Sequence, residues 1–191
     1  MYNVVMNSKE KLMKLEETGK HLFHGSADGT IKKLEPRQGK HITDISKPTE
    51  TILDGNPAVS ATPYADIATF RSLVNNRNID FSHHSGFGIR DGEKEFRVSS
   101  EEVLDAVKDK KGFVYVFNKD EFEPYSRDGI PDEKNMEWRS YKEVEPIEVI
   151  EVDSSHLPPR EKIQILNKEK KKKILSHYRY SCSGNFCLAD N

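Results

Sequence analysis

The chain has little cysteine, little net charge and no long apolar run. Cys182 and Cys187 are its only cysteines, which excludes a framework of several disulfides and favours a reduced, intracellular setting. No segment approaches the ~20 apolar residues of a membrane-spanning helix. Residues 1–8 also lack the basic start and the apolar stretch of a secretory signal. We therefore expect a cytoplasmic protein without a membrane partner, and delivery to another cell stays open.

Length and composition indicate one domain. A chain of 191 residues, 35% hydrophobic and 32% charged, has the size of an ordinary domain with one core. The net charge of −2 gives no overall attraction for nucleic acid. We predict a single domain over residues 1–191, with an N-terminal helix at 8–18, a core at 20–157, and a basic C-terminal helix and tail at 158–191.

Apolar residues at helical spacing predict three helices. The first spans residues 8–18. The second begins with Thr62 as its N-cap and Pro63 at the first helical position, and the third follows a capping box at 99–102. The second helix carries its apolar stripe on Ile67, Phe70 and Val74.

Runs of β-branched and aromatic residues predict strands at 20–25, 113–117, 136–141 and 147–152. Residues 37–57 are rich in turn formers and weakly periodic, and we interpret them as a candidate lid. Helical pieces come first and a strand-rich half follows, so the sequence predicts an α+β domain with mostly antiparallel sheets.

Three short segments stand in an informative order: residues 22–26 (LFHGS), 58–62 (AVSAT) and 136–138 (MEW). Together they resemble the three catalytic strands of the ADP-ribosyltransferase fold, in particular the branch that includes poly(ADP-ribose) polymerases and related bacterial proteins. The resemblance implies a split antiparallel β-sandwich with short peripheral helices. It also implies that NAD is the substrate.

The resemblance assigns a role to particular residues. His24 would bind the adenine-side ribose, Gly25 would offer its backbone to the nicotinamide amide, and Phe70 would stack on nicotinamide. Glu137 would be the catalytic glutamate. We predict that the NAD-binding residues are His24, Gly25, Ser26, Ser60, Phe70 and Arg37, the last as a clamp on the pyrophosphate.

The chemistry explains why a glutamate is needed. Breaking the nicotinamide–ribose bond passes through an oxocarbenium-like state, as in glycoside hydrolysis. A carboxylate that accepts a hydrogen bond from the ribose 2′-hydroxyl stabilises the developing positive charge. On a strand Glu137 points with Arg139 and away from Trp138, so we expect Arg139 to favour the ionised form of Glu137.

The acceptor of ADP-ribose is left open by the sequence. Val59 and Ser60 stand where polymerase-type members carry tyrosine and phenylalanine, so polymer formation is not expected. Asn135 stands where arginine-modifying toxins carry a second acidic residue, which argues against arginine as the target. A protein side chain, a nucleic acid or water remains as the acceptor of a single unit.

Each assigned residue also has an ordinary structural interpretation. His24 could be a strand-end histidine bonded to a turn, Phe70 a core residue of its helical stripe, Glu137 a solvated strand residue, and Arg37 a surface arginine in a loop. A non-catalytic module of the same fold that binds NAD, ADP-ribose or a nucleic-acid end is therefore an alternative function.

A second alternative lies in the C-terminal region. Residues 162–173 contain six lysines, which suits an interaction protein with an anionic partner. No metal site is predicted, because neither pair nor trio of candidate ligands matches a familiar zinc spacing. Those candidates are His83 with His84, and His177 with Cys182 and Cys187.

Overall fold

Four small sheets and three α-helices make up the part of the chain that the structure describes. The structure is a computed structural model, and it describes residues 7–42, 51–90, 92–125 and 136–166. The helices are α1 (Ser8–Glu17), α2 (Ala65–Leu73) and α3 (Glu101–Ala106), and the strands are β1 (His21–Ser26), β2 (Lys40–Ile42), β3 (Thr51–Leu53), β4 (Val59–Ala61), β5 (Ser85–Arg90), β6 (Glu93–Val98), β7 (Lys111–Asn118), β8 (Glu123–Pro124), β9 (Trp138–Ser140), β10 (Glu148–Asp153) and β11 (Ile163–Ile165).

The sheets have the strand orders β1-β7-β10, β4-β9-β8, β11-β6-β5 and β2-β3. All pairings are antiparallel except that of β11 with β6. The predicted α+β class with mostly antiparallel sheets is therefore confirmed. No helix within the described ranges is long and apolar enough to cross a membrane.

The sheet β1-β7-β10 is covered on both faces, because its central strands are apolar on both sides. Phe23, Val114 and Val116 pack with α1 and α2 in one buried cluster. Leu22 and Tyr115, which alternate with them along β1 and β7, pack in another cluster against β4 and β9. Successive side chains of a strand point to opposite faces. His24 and Ser26 therefore point toward β4, and Gly25 points toward α2.

Two backbone hydrogen bonds join this sheet to its neighbour. The N–H of Phe23 donates to the carbonyl of Thr62 at 2.8 Å, and the N–H of Thr62 donates back at 2.9 Å. Thr62 is therefore held in extended pairing, and α2 begins only at Ala65 with Tyr64 as its N-cap. The prediction of Thr62 as N-cap is wrong because sheet pairing outweighs the local helix signal.

Helix α2 lies directly on the backbone of two strands. A Cβ atom added to Gly25 would lie 2.0 Å from the carbonyl oxygen of Ala68, and one added to Gly112 would lie 2.2 Å from Oγ of Ser72. Both glycines therefore serve the packing of α2. On this face of β1, the helix fills the space that the absent side chain of Gly25 leaves.

The remaining elements match the sequence unevenly. Helix α1 and strands β1, β7 and β10 lie within two residues of their predicted bounds, and Asn7 caps α1 with a reciprocal bond to Glu10. The hairpin of β5 and β6 was not predicted. Within the candidate lid, β2 pairs with β3.

The predicted C-terminal boundary needs correction. Residues 160–162 form a 3-10 turn and β11 pairs with β6, so the core continues beyond residue 157 and the described start of the predicted helix is a turn and a strand. The lysine-rich residues 168–173 and the tail to 191 lie outside the described residues.

Gly25→Ala should reduce the free energy of unfolding by roughly 1–3 kcal/mol or more, because the new methyl group would overlap the backbone of α2. Urea denaturation measures this. Gly86→Ala is the matched control, since a Cβ at that position of β5 meets nothing within 4 Å. Equal loss of stability in both variants would contradict the packing role of Gly25.

Candidate functional site

A cavity of about 250 Å³, hereafter the cleft, lies between β1, β4, β9 and α2. This volume is just below the roughly 300–1,000 Å³ of typical ligand pockets, so it suits one end of a dinucleotide rather than all of it. The predicted site residues that line the cleft are His24, Gly25, Ser26, Arg37, Ser60 and Glu137. Three segments that are remote in sequence therefore meet at one place.

His24 is held by a hydrogen bond across the two sheets. Its Nδ1 lies 2.8 Å from the carbonyl oxygen of Ser60. A carbonyl only accepts, so Nδ1 carries the proton and Nε2 is an acceptor. Burial lowers the pKa of His24 to about 4, and the nearby charges of Arg71 and Arg37 act in the same direction. His24 is therefore neutral at pH 7.

Glu137 is bound to the same residue of β4. Oγ of Ser60 donates to Oε1 of Glu137 at 3.2 Å, and Nε of Arg139 donates to the same oxygen at 2.7 Å. Ser60 thus contacts His24 through its carbonyl and Glu137 through its hydroxyl. The Glu137 side chain is 12% exposed.

The environment of Glu137 acts on its pKa in two directions. Burial, the largest effect, and the charge of Asp54 raise the pKa of Glu137, whereas the charge and the hydrogen bond of Arg139 lower it, and the net shift is upward. Glu137 therefore stays protonated to a higher pH than an exposed glutamate. The expectation that Arg139 favours the charged carboxylate is confirmed.

Arg139 lies at the centre of a buried ionic cluster that was not predicted. Its Nη1 donates to the carbonyl of Asp54 at 2.7 Å, and its Nη2 lies 3.0 Å from Oδ2 of Asp54. Its Cζ lies 3.4 Å from the ring centre of Tyr125. Gly55 has a φ of +67°, and a Cβ there would lie 2.9 Å from Nη1 of Arg139. Glycine therefore fits both the backbone and the space.

Phe70 does not line the cleft. Its side chain is 1% exposed and packs in the core with Ile67 and Val74, with its ring centre 5.2 Å from that of Phe96. This corrects the predicted stacking role, and the helical stripe in the sequence already indicated the core position.

Helix α2 contributes other side chains to the cleft. Ile67 and, one turn later, Arg71 line the cavity, as does Asn75, which lies two residues beyond the end of α2 and bonds to the carbonyls of Arg71 and Ser72. Arg71 also lies over the ring of Phe87, with its Cζ 5.6 Å from the ring centre. The i, i+4 spacing of Ile67 and Arg71 was a usable signal for this face of α2, yet Arg71 was not predicted as a site residue.

Arg37 is placed by backbone pairing. Its N–H and carbonyl bond to those of Ala58 at 3.2 Å and 3.1 Å, and its exposed side chain lines the cleft. Arg37 and Arg71 therefore both bring positive charge to the vicinity of His24.

Residues 7–42, 51–90, 92–125 and 136–166 contain no group of three or more His, Cys, Asp or Glu placed to bind a metal ion. Nδ1 of His83 bonds to the carbonyl of Phe81 at 3.1 Å. Asn135, His177, Cys182 and Cys187 lie outside the described residues.

Comparisons with known proteins place the chain in no family. No protein-family model, curated protein or solved structure matches the chain.

Replacing His24 by asparagine should flatten the pH dependence of stability. The folded-state pKa of His24 is depressed from 6.5 to about 4, so the unfolded chain binds the extra proton and stability falls as the pH drops through this window. The loss reaches about 3 kcal/mol at most. The asparagine amide can still donate to Ser60, so only the titration is removed.

Urea denaturation at several pH values between 4 and 7 checks this prediction. His84→Asn, at an exposed position, is the control and should follow the unmodified chain. Parallel curves for the His24 variant and the unmodified chain would refute the assignment of a buried, neutral histidine.

Proposed function

We propose that the chain is an NAD-dependent ADP-ribosyltransferase with the split β-sandwich architecture of that fold. The observation that carries the proposal is the contact of Ser60 with both His24 and Glu137 inside one cleft. The contact brings an imidazole and a carboxylate from two remote segments to one residue of a third segment, inside a cavity.

The arrangement of the sheets supports the proposed architecture. The sheet β1-β7-β10 faces β4-β9-β8 across a buried apolar layer that includes Leu22, Tyr115 and Trp138. The first proposed catalytic strand, β1, belongs to one sheet, and the second and third, β4 and β9, pair in the other. The cleft opens where the two sheets are joined.

The charges of the cleft suit a dinucleotide. Nε2 of the neutral His24 would accept a hydrogen bond from a ribose hydroxyl, and the small volume of the cleft would hold the nicotinamide end. Arg37 and Arg71 would contact the pyrophosphate, because guanidinium groups bind phosphate oxygens with charge-assisted bonds. The backbone of Gly25 also lines the cleft and would contact the nicotinamide amide.

The proposed reaction breaks the bond between the nicotinamide nitrogen and C1′ of the ribose. Nicotinamide leaves with the bonding electron pair as a neutral base, and positive charge develops on the ribose. The ionised carboxylate of Glu137 would accept a hydrogen bond from the 2′-hydroxyl and stabilise that charge. A nucleophile of a protein, a nucleic acid or water then bonds to C1′ and loses its proton to solvent.

Glu137→Gln should lower the rate of nicotinamide release by on the order of 10²-fold or more, because the amide cannot supply the negative charge. The test is incubation with NAD labelled in the adenylate part, following nicotinamide release and label transfer. Glu123→Gln is the matched control, since Glu123 is an exposed carboxylate on β8 of the same sheet.

The outcomes separate the candidate functions. Nicotinamide release that depends on Glu137 supports the enzyme, and label on an added protein or nucleic acid identifies the acceptor class. Saturable binding of NAD without release supports the non-catalytic binding module. Equal turnover in the Glu137 and Glu123 variants would remove Glu137 from the mechanism, and no binding would remove NAD.

A further inference from the structure

The guanidinium of Arg139 joins Glu137 to a part of the chain that precedes β4. Its three nitrogens have three separate partners: Nε contacts Glu137 Oε1, Nη1 contacts the carbonyl of Asp54, and Nη2 contacts the carboxylate of Asp54. One face of the group is covered by the ring of Tyr125, whose hydroxyl donates to Oδ1 of Asp54 at 3.3 Å.

This arrangement fixes Arg139 in one orientation. A planar guanidinium with partners along two edges and an aromatic ring on its face has no other placement that keeps the same bonds. The side chain is 4% exposed and that of Asp54 is 9% exposed, so water does not replace these partners readily. Arg139 is therefore a rigid support for whatever it contacts.

We propose that Arg139, held by Asp54 and Tyr125, is a positioning residue that aims one carboxylate oxygen of Glu137 at the substrate ribose. This inference rests on the proposed function. Arg139 itself acts through Glu137 and touches no reacting atom.

The two oxygens of Glu137 are used differently. Within the described part of the chain, both donors to Glu137, Nε of Arg139 and Oγ of Ser60, bind Oε1. With Oε1 fixed from β9 and from β4, the carboxylate plane is set and Oε2 is the oxygen left for a ribose hydroxyl. A carboxylate held by one donor alone would turn about its terminal bond.

The charges that face Glu137 act in opposite directions. Arg139 on β9 favours the ionised carboxylate, as does the hydroxyl of Ser60 on β4. Asp54, on the segment before β4, disfavours it. The hydroxyl of Tyr125, after β8, donates to Asp54 and its backbone N–H donates to the main-chain carbonyl of Glu137, and the neutral His24 bonds to the carbonyl of Ser60. Arg139 is thus shared between two acids.

Two substitutions should therefore move the pKa of Glu137 in opposite directions. Asp54→Asn keeps the shape and the backbone contact to Arg139 but removes the competing negative charge, so the pKa of Glu137 should fall. Arg139→Gln removes the favourable charge, so the pKa should rise. Carbon-13 NMR of the glutamate carboxyl groups in the full chain, with Glu137→Gln to assign the signal, measures both without any substrate.

Asp28→Asn is the charge-matched control. Asp28 also lines the cleft, but it lies against Thr30 and Arg77 rather than Glu137, so the pKa of Glu137 should stay unchanged. If Arg139→Gln does not fold, Asp54→Asn decides alone. A Glu137 pKa in Asp54→Asn equal to that of the unmodified chain, or higher, overturns the inference.

Measurements of NAD turnover by the variants separate this inference from the proposed function. With NAD turnover in the unmodified chain, Asp54→Asn should shift the acid limb of the pH–kcat profile to lower pH. Arg139→Lys keeps the positive charge but loses the planar set of guanidinium N–H donors. The value of kcat should then fall by on the order of 10–100-fold with little change in KM. An unmoved acid limb or an unchanged kcat overturns the inference.

The two ideas can fail separately. If the unmodified chain does not release nicotinamide, the proposed function fails. Opposite shifts of the Glu137 pKa in Asp54→Asn and Arg139→Gln would still show that Arg139 and Asp54 act on Glu137. If NAD is turned over but the NMR shifts are absent, the enzyme stands and the positioning role fails.

Discussion

The reciprocal backbone bonds between Phe23 and Thr62 are the constraint on which the site depends. They bring the edge of one sheet against a short strand of another, and everything in the cleft follows from that register. One residue after Phe23 comes His24, and two residues before Thr62 comes Ser60, so the imidazole reaches the Ser60 carbonyl. The pairing of Ser60 with Arg139 then brings in the third segment and Glu137 with it. Backbone geometry alone therefore assembles residues from three distant parts of the chain.

The second layer of the site is electrostatic. A buried arginine is tolerated only when it is paired and hydrogen-bonded, since removing a charge from water costs several kcal/mol. Arg139 satisfies this with two carboxylates, a carbonyl and an aromatic ring, and the two acids partly oppose one another through the shared cation. The state of Glu137 is thus set jointly by burial, by its neighbour on β9, and by a loop residue far away in sequence.

The elements that were predicted correctly are those whose structure is determined by residues near one another in the sequence. The cap and the apolar spacing of α1 lie within one short stretch of consecutive residues, and β7 contains a continuous apolar run. Both elements could therefore be predicted from the sequence. The β5–β6 hairpin was missed because only Phe87, Phe96 and Val98 are buried among its charged residues. Helix α2 starts late because Thr62 has a partner 39 positions earlier in the chain. Asp54 could not be found at all, because its role depends on Arg139, 85 residues away.

Helix α2 lies on the bare backbone of Gly25 and Gly112. The residues that fix the helix there therefore differ from the charged residue of α2 that faces the cleft, and a protein engineer would treat the two differently. At Gly25 the helix backbone itself makes the contact, so the depth at which α2 lies there does not depend on the rotamers of the surrounding core. Arg71 of the same helix lines the cleft, whereas the side-chain amide of Asn75 caps the end of α2 by bonding to the carbonyls of Arg71 and Ser72. Recognition can therefore be altered at Arg71 while the scaffold beneath it keeps its geometry, which makes this position of α2 the natural place to diversify ligand specificity.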